Sequence, residues 1–252
     1  MDRLEVAAGV EVTRDLALFL RHERTLVISD LHLGFEGALA EQGVSIPRFQ
    51  RRVILERLGR MLDRVKAERV VVAGDFKHEF SRNLVDEWVE VKQVLRFLKD
   101  RVTPVIVRGN HDNYLATILG DLGLRLEDRA DFADHTIVHG HEDVSTLHPI
   151  VMGHEHPALK FRQAFQVSRG TSEVMTVATI PAFLVSKSVI VLPAFSPLAL
   201  GVDVSTQPYL SPILNRTDID GARVIGVDER DGLMDFGRVK DLTRVRAALL
   251  MK

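Results

Sequence analysis

The sequence predicts a mixed α/β (α+β) fold in which a parallel sheet with flanking helices packs against a second sheet. Three observations carry this. Short β-branched runs recur, each ending in a polar signal; helical apolar stripes separate the first three runs; and the later runs follow one another with no helix between them. A chain of 252 residues can bury a sizeable core, and we expect residues 1–252 to form a single domain.

The first run, Thr25-Leu26-Val27-Ile28, leads into Ser29-Asp30, and a continuous apolar run of this kind suits a strand buried on both faces. A helix follows, roughly Pro47 to Lys66, with Pro47 in its first turn and Val53, Leu58, Met61, Leu62 and Val65 on its apolar face. The second run, Val70 to Ala73, ends at Gly74-Asp75. A second helix carries Leu84, Trp88, Val91, Leu95 and Leu98, spaced alternately by four and three, with Asn83 as its cap. The third run, Pro104 to Val107, ends at Arg108-Gly109-Asn110. Ligands gather beyond the carboxyl ends of parallel strands, where all three polar signals fall.

Thr136-Ile137-Val138 and Ile150-Val151-Met152 read as two further strands, ending at His139 and at Gly153-His154. Glu142 to Pro149 is too short for a full helical crossover, so the connection is compressed and the relative direction of the two strands stays open. Val174 to Val185 and Val189 to Ala194 read as strands, and Arg223 to Val227 with Leu233 to Val239 as a hairpin about Asp231-Gly232. Arg162 to Thr171 and Ser205 to Asp220 read as surface loops.

Composition narrows the chemistry. A net charge of −2 gives no global basic field for a polyanion. Arg48, Arg51, Arg52, Arg57, Arg60 and Arg64 give the first helix a basic face, read as a solvated face beside Glu56 and Asp63. Cysteine is absent, so any metal must be held by nitrogen and oxygen. With no secretory signal and no apolar run long enough to span a bilayer, a cytoplasmic protein with no membrane contact is expected.

Seven of the ten histidines lie in or beside five short signals: His32, His78, His111, His139, His141, His154 and His156. Two divalent ions side by side need a bridging carboxylate and a mixed shell of imidazole and oxygen ligands. Asp30 and His32 would hold one ion, and Asp75, behind a glycine that allows close approach, would bridge both. Asn110 offers a carbonyl oxygen, and His139, His154 and His156 offer imidazoles. This set suits manganese first, with iron, zinc, nickel or cobalt as alternatives. His141 could replace His139 as ligand, contact phosphate, or support a ligand from behind. His111, beside Asn110, can protonate a leaving oxygen. Lys77 reads either as a substrate-phosphate contact or as a solvated side chain.

The series DLHLG, GDFKHEF, GNHD, HGH and GHEH, from Thr25 to Pro157, resembles the calcineurin-like metallophosphoesterase superfamily. Its GDFKH form is similar to the branch related to SbcD-type repair nucleases. The resemblance implies a β-sandwich of two mixed sheets flanked by helices. It implies one metal held by Asp30, His32, Asp75 and His156, and a second by Asp75, Asn110, His139 and His154, with His111 as catalytic acid. Phosphatase-type members carry an aspartate where this chain has His78, and SbcD-like members carry histidine. That places His78 with His111 at the catalytic positions and favours a nuclease-like relative. The implied activity is hydrolysis of phosphodiesters, DNA or RNA foremost, by a hydroxide bridging the two ions. The alternatives are hydrolysis of a small nucleotide, cyclic diester or pyrophosphate, and a catalytically weak metal-bound scaffold partnering a DNA-repair helicase or ligase.

Overall fold

The computed structural model describes residues 1–81, 84–166, 173–228 and 230–250. The chain opens with three strands, β1 (Arg3–Ala7), β2 (Val10–Thr13) and β3 (Leu18–Leu20), which meander antiparallel into β4 (Thr25–Ile28). Next come α1 (Phe35–Glu41), α2 (Gln50–Arg64), β5 (Arg69–Ala73), α3 (Val85–Lys99), β6 (Thr103–Val107), α4 (Leu115–Gly120) and β7 (Leu126–Glu127). These strands form one sheet in the order β1-β2-β3-β4-β5-β6-β7, parallel from β4 onward.

The second sheet begins with β8 (Ala130–Asp131), β9 (Thr136–Val138), β10 (Ile150–Met152), β11 (Pro157–Gln166), β12 (Glu173–Val185), β13 (Val189–Val191) and β14 (Val202–Asp203). After α5 (Pro212–Asn215), the hairpin β15 (Arg223–Asp228) and β16 (Gly232–Arg238) joins it along β12, and α6 (Val239–Leu250) ends the described chain. The order is β14-β11-β12-β13-β10-β9-β8. β9, β10 and β13 run parallel, which answers the question of direction left by the short 139–149 connection.

Period-two alternation assigns the faces of the second sheet. Ile137, Val151, Phe183, Val185 and Ile190 join one core with Val27, Val71 and Ile106 of the first sheet. Their neighbours Val138, Ile150, Met152, Leu184 and Val191 point the other way, into a second core under Ile213, Leu214 and Val239. Helices α2 and α3 cover the outer side of the first sheet with Ile54, Leu58, Met61, Val91, Leu95 and Leu98. The mixed two-sheet architecture with flanking helices is thus the one expected.

Several expectations are corrected. The first long helix starts at Gln50 rather than at Pro47, because Glu36 reaches across from α1 and accepts the Phe49 and Gln50 N–H groups at 2.6 and 2.8 Å. Leu84 occupies the cap position of α3, and Asn83 lies outside the described residues. Of the loop expected from Arg162 to Thr171, residues 162–166 belong to β11 and the remainder lies outside the described residues. Ser205 to Asp220 is a strap rather than a surface loop. Tyr209, Ser211, Ile213, Leu214 and Ile219 in it are buried, and Ser211 caps α5 while donating to the Gly140 carbonyl at 2.6 Å.

Candidate metal centre

The candidate ligands sit just past strand ends, on backbone that reverses sharply. Asp30, His32, Asp75, His154 and His156 all have left-handed φ values, of 56, 47, 47, 67 and 44°. Each such residue costs about 1–3 kcal/mol and persists only where its surroundings over-determine it. Here they do. The loops after β4 and β5 are zipped by Asp30 N–H to Gly74 O (3.1 Å), His32 N–H to Asp75 O (2.9 Å) and Leu33 N–H to Phe76 O (3.1 Å). His111 N–H donates to Asp75 Oδ1 at 2.9 Å, and His154 N–H to the Asp30 carboxylate at 3.2 Å. Gly109 has to be glycine, since a Cβ there would overlap Asp75.

Three groups of side chains result, each with ligand atoms within 4.8 Å of one another: Asp30, His32 and His156; Asp75, His139 and His154; and, sharing His32, a third of His32, His78 and His111. In the first, His156 Nε2 lies 3.2 Å from Asp30 Oδ1 and 3.3 Å from His32 Nε2. In the second, His139 Nε2 lies 3.4 Å from Asp75 Oδ2 and 3.0 Å from Asn110 Oδ1. Asp75 Oδ2 is also 3.8 Å from His32 Nε2, so this carboxylate faces the first two groups.

The donor set fits divalent ions. His139 Nδ1 lies 3.0 Å from the Ala73 carbonyl, which can only accept, so a neutral His139 turns its Nε2 lone pair toward two further acceptors, Asp75 and Asn110. Acceptors converging in this way require a cation or a proton among them. Burial disfavours charge on His139, but its hydrogen bond to Asp75 and the charges of Asp30 and Asp75 prevail and raise it to about 9. The same contest lowers the carboxyls. Burial pushes Asp30 and Asp75 up, while the imidazoles of His156 and His139 beside them outweigh it and hold both below the ordinary range. Burial drives His32 down to about 3 and His154 to about 4, leaving neutral rings ready to ligate. His32 Nδ1 is buried with no hydrogen-bond partner among the described residues.

His111 stands beside the second group, its Nε2 4.0 Å from Asp75 Oδ2. Its Nδ1 lies 2.5 Å from the main-chain carbonyl of His78. The carbonyl fixes the proton on Nδ1 and leaves Nε2 facing the site. The His78 ring is stacked between Phe35 (centroids 4.0 Å) and His111 (5.6 Å), and burial lowers it to about 4. The His141 ring is 5.2 Å from that of His139 and belongs to none of the three groups. Lys77 corrects both of its readings: it is fully buried, its Nζ 3.5 Å from Glu87 Oε2, so it is neither solvated nor offered to a substrate.

The fastening residues escaped sequence reasoning. Buried Asp112 accepts from Gly109 N–H (2.8 Å), Phe76 N–H (2.9 Å) and Lys77 N–H (3.3 Å), tying the Asp75 loop to the Asn110 loop. Burial and the like charge of Asp75 push its carboxyl up to about 6. Buried Gln50 donates from Nε2 to the Leu31 and His32 carbonyls and to Ser196. Glu87 accepts from His78 and Glu79 N–H, and Glu155, between two ligands, accepts from Leu210 and Ser211 N–H. Only Asp112 and Glu155 lay inside a sequence signal, and neither had a spacing that distinguished a fastener from a ligand.

A family model described as calcineurin-like phosphoesterase matches residues 23–168. Among solved structures, nuclease MPE of Pseudomonas putida is similar over 93% of this chain and 99% of its own, with 20% identity and a TM-score of 0.65, a likeness of fold. The phosphoesterase YfcE of E. coli aligns over 81% of this chain and 88% of its own, with 15% identity and a TM-score of 0.36. No curated protein sequence matches at a significant level.

Proposed function

This chain belongs to the calcineurin-like phosphoesterase family, and on that premise we propose that it is a binuclear metal-dependent phosphodiesterase acting on nucleic-acid strands. The observation that carries the reading is Asp75, whose Oδ2 faces His139 at 3.4 Å and His32 at 3.8 Å and so lies between the two ligand groups. Asp30, His32, Asp75 and His156 would hold one ion. Asp75, Asn110, His139 and His154 would hold the other, with manganese the ion we favour. Divalent ions so held supply Lewis-acid polarisation of the phosphate and an acidified water for attack at neutral pH.

The chain's own residues do the rest. The carbonyl of His78 holds the Nδ1 proton of His111 and turns Nε2 toward the centre, from which the imidazolium, protonated on both nitrogens, would give its Nε2 proton to the leaving oxygen and be left neutral. The His78 ring, stacked on Phe35 and His111, keeps the acid in plane. The diester preference is supported by His111 Nδ1 meeting the main-chain carbonyl of His78 rather than a side-chain carboxylate, and by the likeness of fold to a nuclease. The test is manganese-dependent hydrolysis of bis(p-nitrophenyl) phosphate against its monoester. The diester should be cleaved faster, and Asp75→Ala should abolish the activity. Cleavage of neither ester by metal-loaded protein overturns the reading.

A further inference from the structure

Two exposed aromatic residues lie on the segments around His111, one of them in contact with its ring. Phe80 is 57% exposed, and its ring meets that of His111 edge to face, with centroids 5.9 Å apart and planes at 88°. Tyr114, three residues beyond His111, is 56% exposed. Its φ of 67° is an outlier for a bulky side chain, and strain of this kind collects at ligand contacts. Neither ring belongs to either core.

The backbone beneath them is fixed. Asn113 Nδ2 donates to the Phe80 carbonyl at 3.1 Å, His111 Nδ1 to the His78 carbonyl, and Asp112 grips the N–H groups of Phe76 and Lys77. The 76–80 and 109–114 segments are therefore braced against each other beside His111, and each carries one exposed ring. A phosphodiester strand passing His111 carries a flat base at every nucleotide. Bases stack on protein aromatics with little regard to sequence, but in a duplex their faces are already covered by their neighbours.

We propose that Phe80 and Tyr114 form a stacking platform that selects unstacked bases and so directs single-stranded nucleic acid to the centre. This rests on the phosphodiesterase reading for what happens after binding, though not for binding itself. Because both rings are exposed, replacing them removes no core contact.

The test compares fluorescence-anisotropy affinities for a short thymidine strand, an abasic strand of equal length and the corresponding duplex, all in calcium. The wild-type chain should bind the base-carrying strand about a hundredfold more tightly than the abasic one, and F80A and Y114A should each shrink that ratio by about tenfold. F80W should preserve it. Equal affinity for base-carrying and abasic strands, a ratio unmoved in both alanine variants, or duplex bound as tightly as single strand would overturn the platform. Ring-dependent discrimination with no cleavage of any strand in manganese would support the platform while contradicting the hydrolase reading, so the two claims fail separately.

Discussion

His111 is oriented by a main-chain carbonyl, which removal of a neighbouring carboxylate cannot disturb, so its role is best tested at the ring itself. His111→Gln should lower kcat by about 10²–10⁴-fold on a diester with a poor alcohol leaving group, the span expected of a lost general acid. On a p-nitrophenyl ester, whose leaving group needs no proton, the loss should be small, and metal content should not change. Equal losses on both substrates would show that His111 acts in binding rather than as the acid.

Protonation also sets how the metal-free protein tolerates pH. His32, His78 and His154 fold at about 3, 4 and 4 against an ordinary 6.5, so below pH 6.5 the unfolded chain takes up protons that the folded one refuses. Their contribution is present above pH 6.5 and is lost as pH falls through those values. His139, raised to about 9, is the reverse: its contribution is present below pH 6.5 and lost as pH climbs through about 9. Asp112, raised to about 6, favours the folded state below pH 3.8 and loses that advantage as pH rises through about 6, which flattens the acid limb. Thermal unfolding of the chelated protein should therefore show a stability maximum near neutrality, and His139→Asn should shrink the alkaline decline, to which His156, its burial outweighed by the charge of Asp30 and its titration raised, also contributes. An alkaline decline unchanged in that variant would place its cause elsewhere.

At the scale of elements, the site depends on loops bound to one another more than on any one strand. Asp112→Ala leaves three N–H groups without their acceptor, each unsatisfied group costing about 1–3 kcal/mol. It should also weaken metal binding by about 10–100-fold, as loss of a supporting residue does. Metal titration followed by thermal unfolding checks both, and an unchanged metal affinity would show that the loops hold their places without it. The same loops explain what was legible in sequence. The strands before Asp30 and Asp75 were visible because they are buried on both faces and read as unbroken apolar runs, and the one before Asn110 because its apolar run ends in buried Ile106 and Val107. β1, β2 and β3 were not, since β1 alternates exposed charge with partial burial and neither β2 nor β3 ends in one of the five polar signals. The buried strap through Ser211 passed for a loop because its fastening atoms are polar. The candidate ligands were proposed from residue type alone, whereas their left-handed backbones and the burial of Lys77 are tertiary facts that no local pattern encodes.

At the scale of the molecule, loops carrying the candidate ligands meet from both sheets: Asp30, Asp75 and Asn110 from the first sheet, His139, His154 and His156 from the second. Ions that bind only the folded chain should stabilise it, by about 4 kcal/mol at a thousand times Kd for one site. Manganese should therefore raise the unfolding temperature of the wild-type chain markedly and that of Asp75→Asn far less. No shift with manganese would deny that the two halves meet around a cation. The most direct measurement is anomalous diffraction from manganese-soaked crystals. The account predicts two peaks about 4 Å apart on either side of the Asp75 carboxylate, the separation of two-metal sites. A single peak, or two peaks that do not share Asp75, would contradict it.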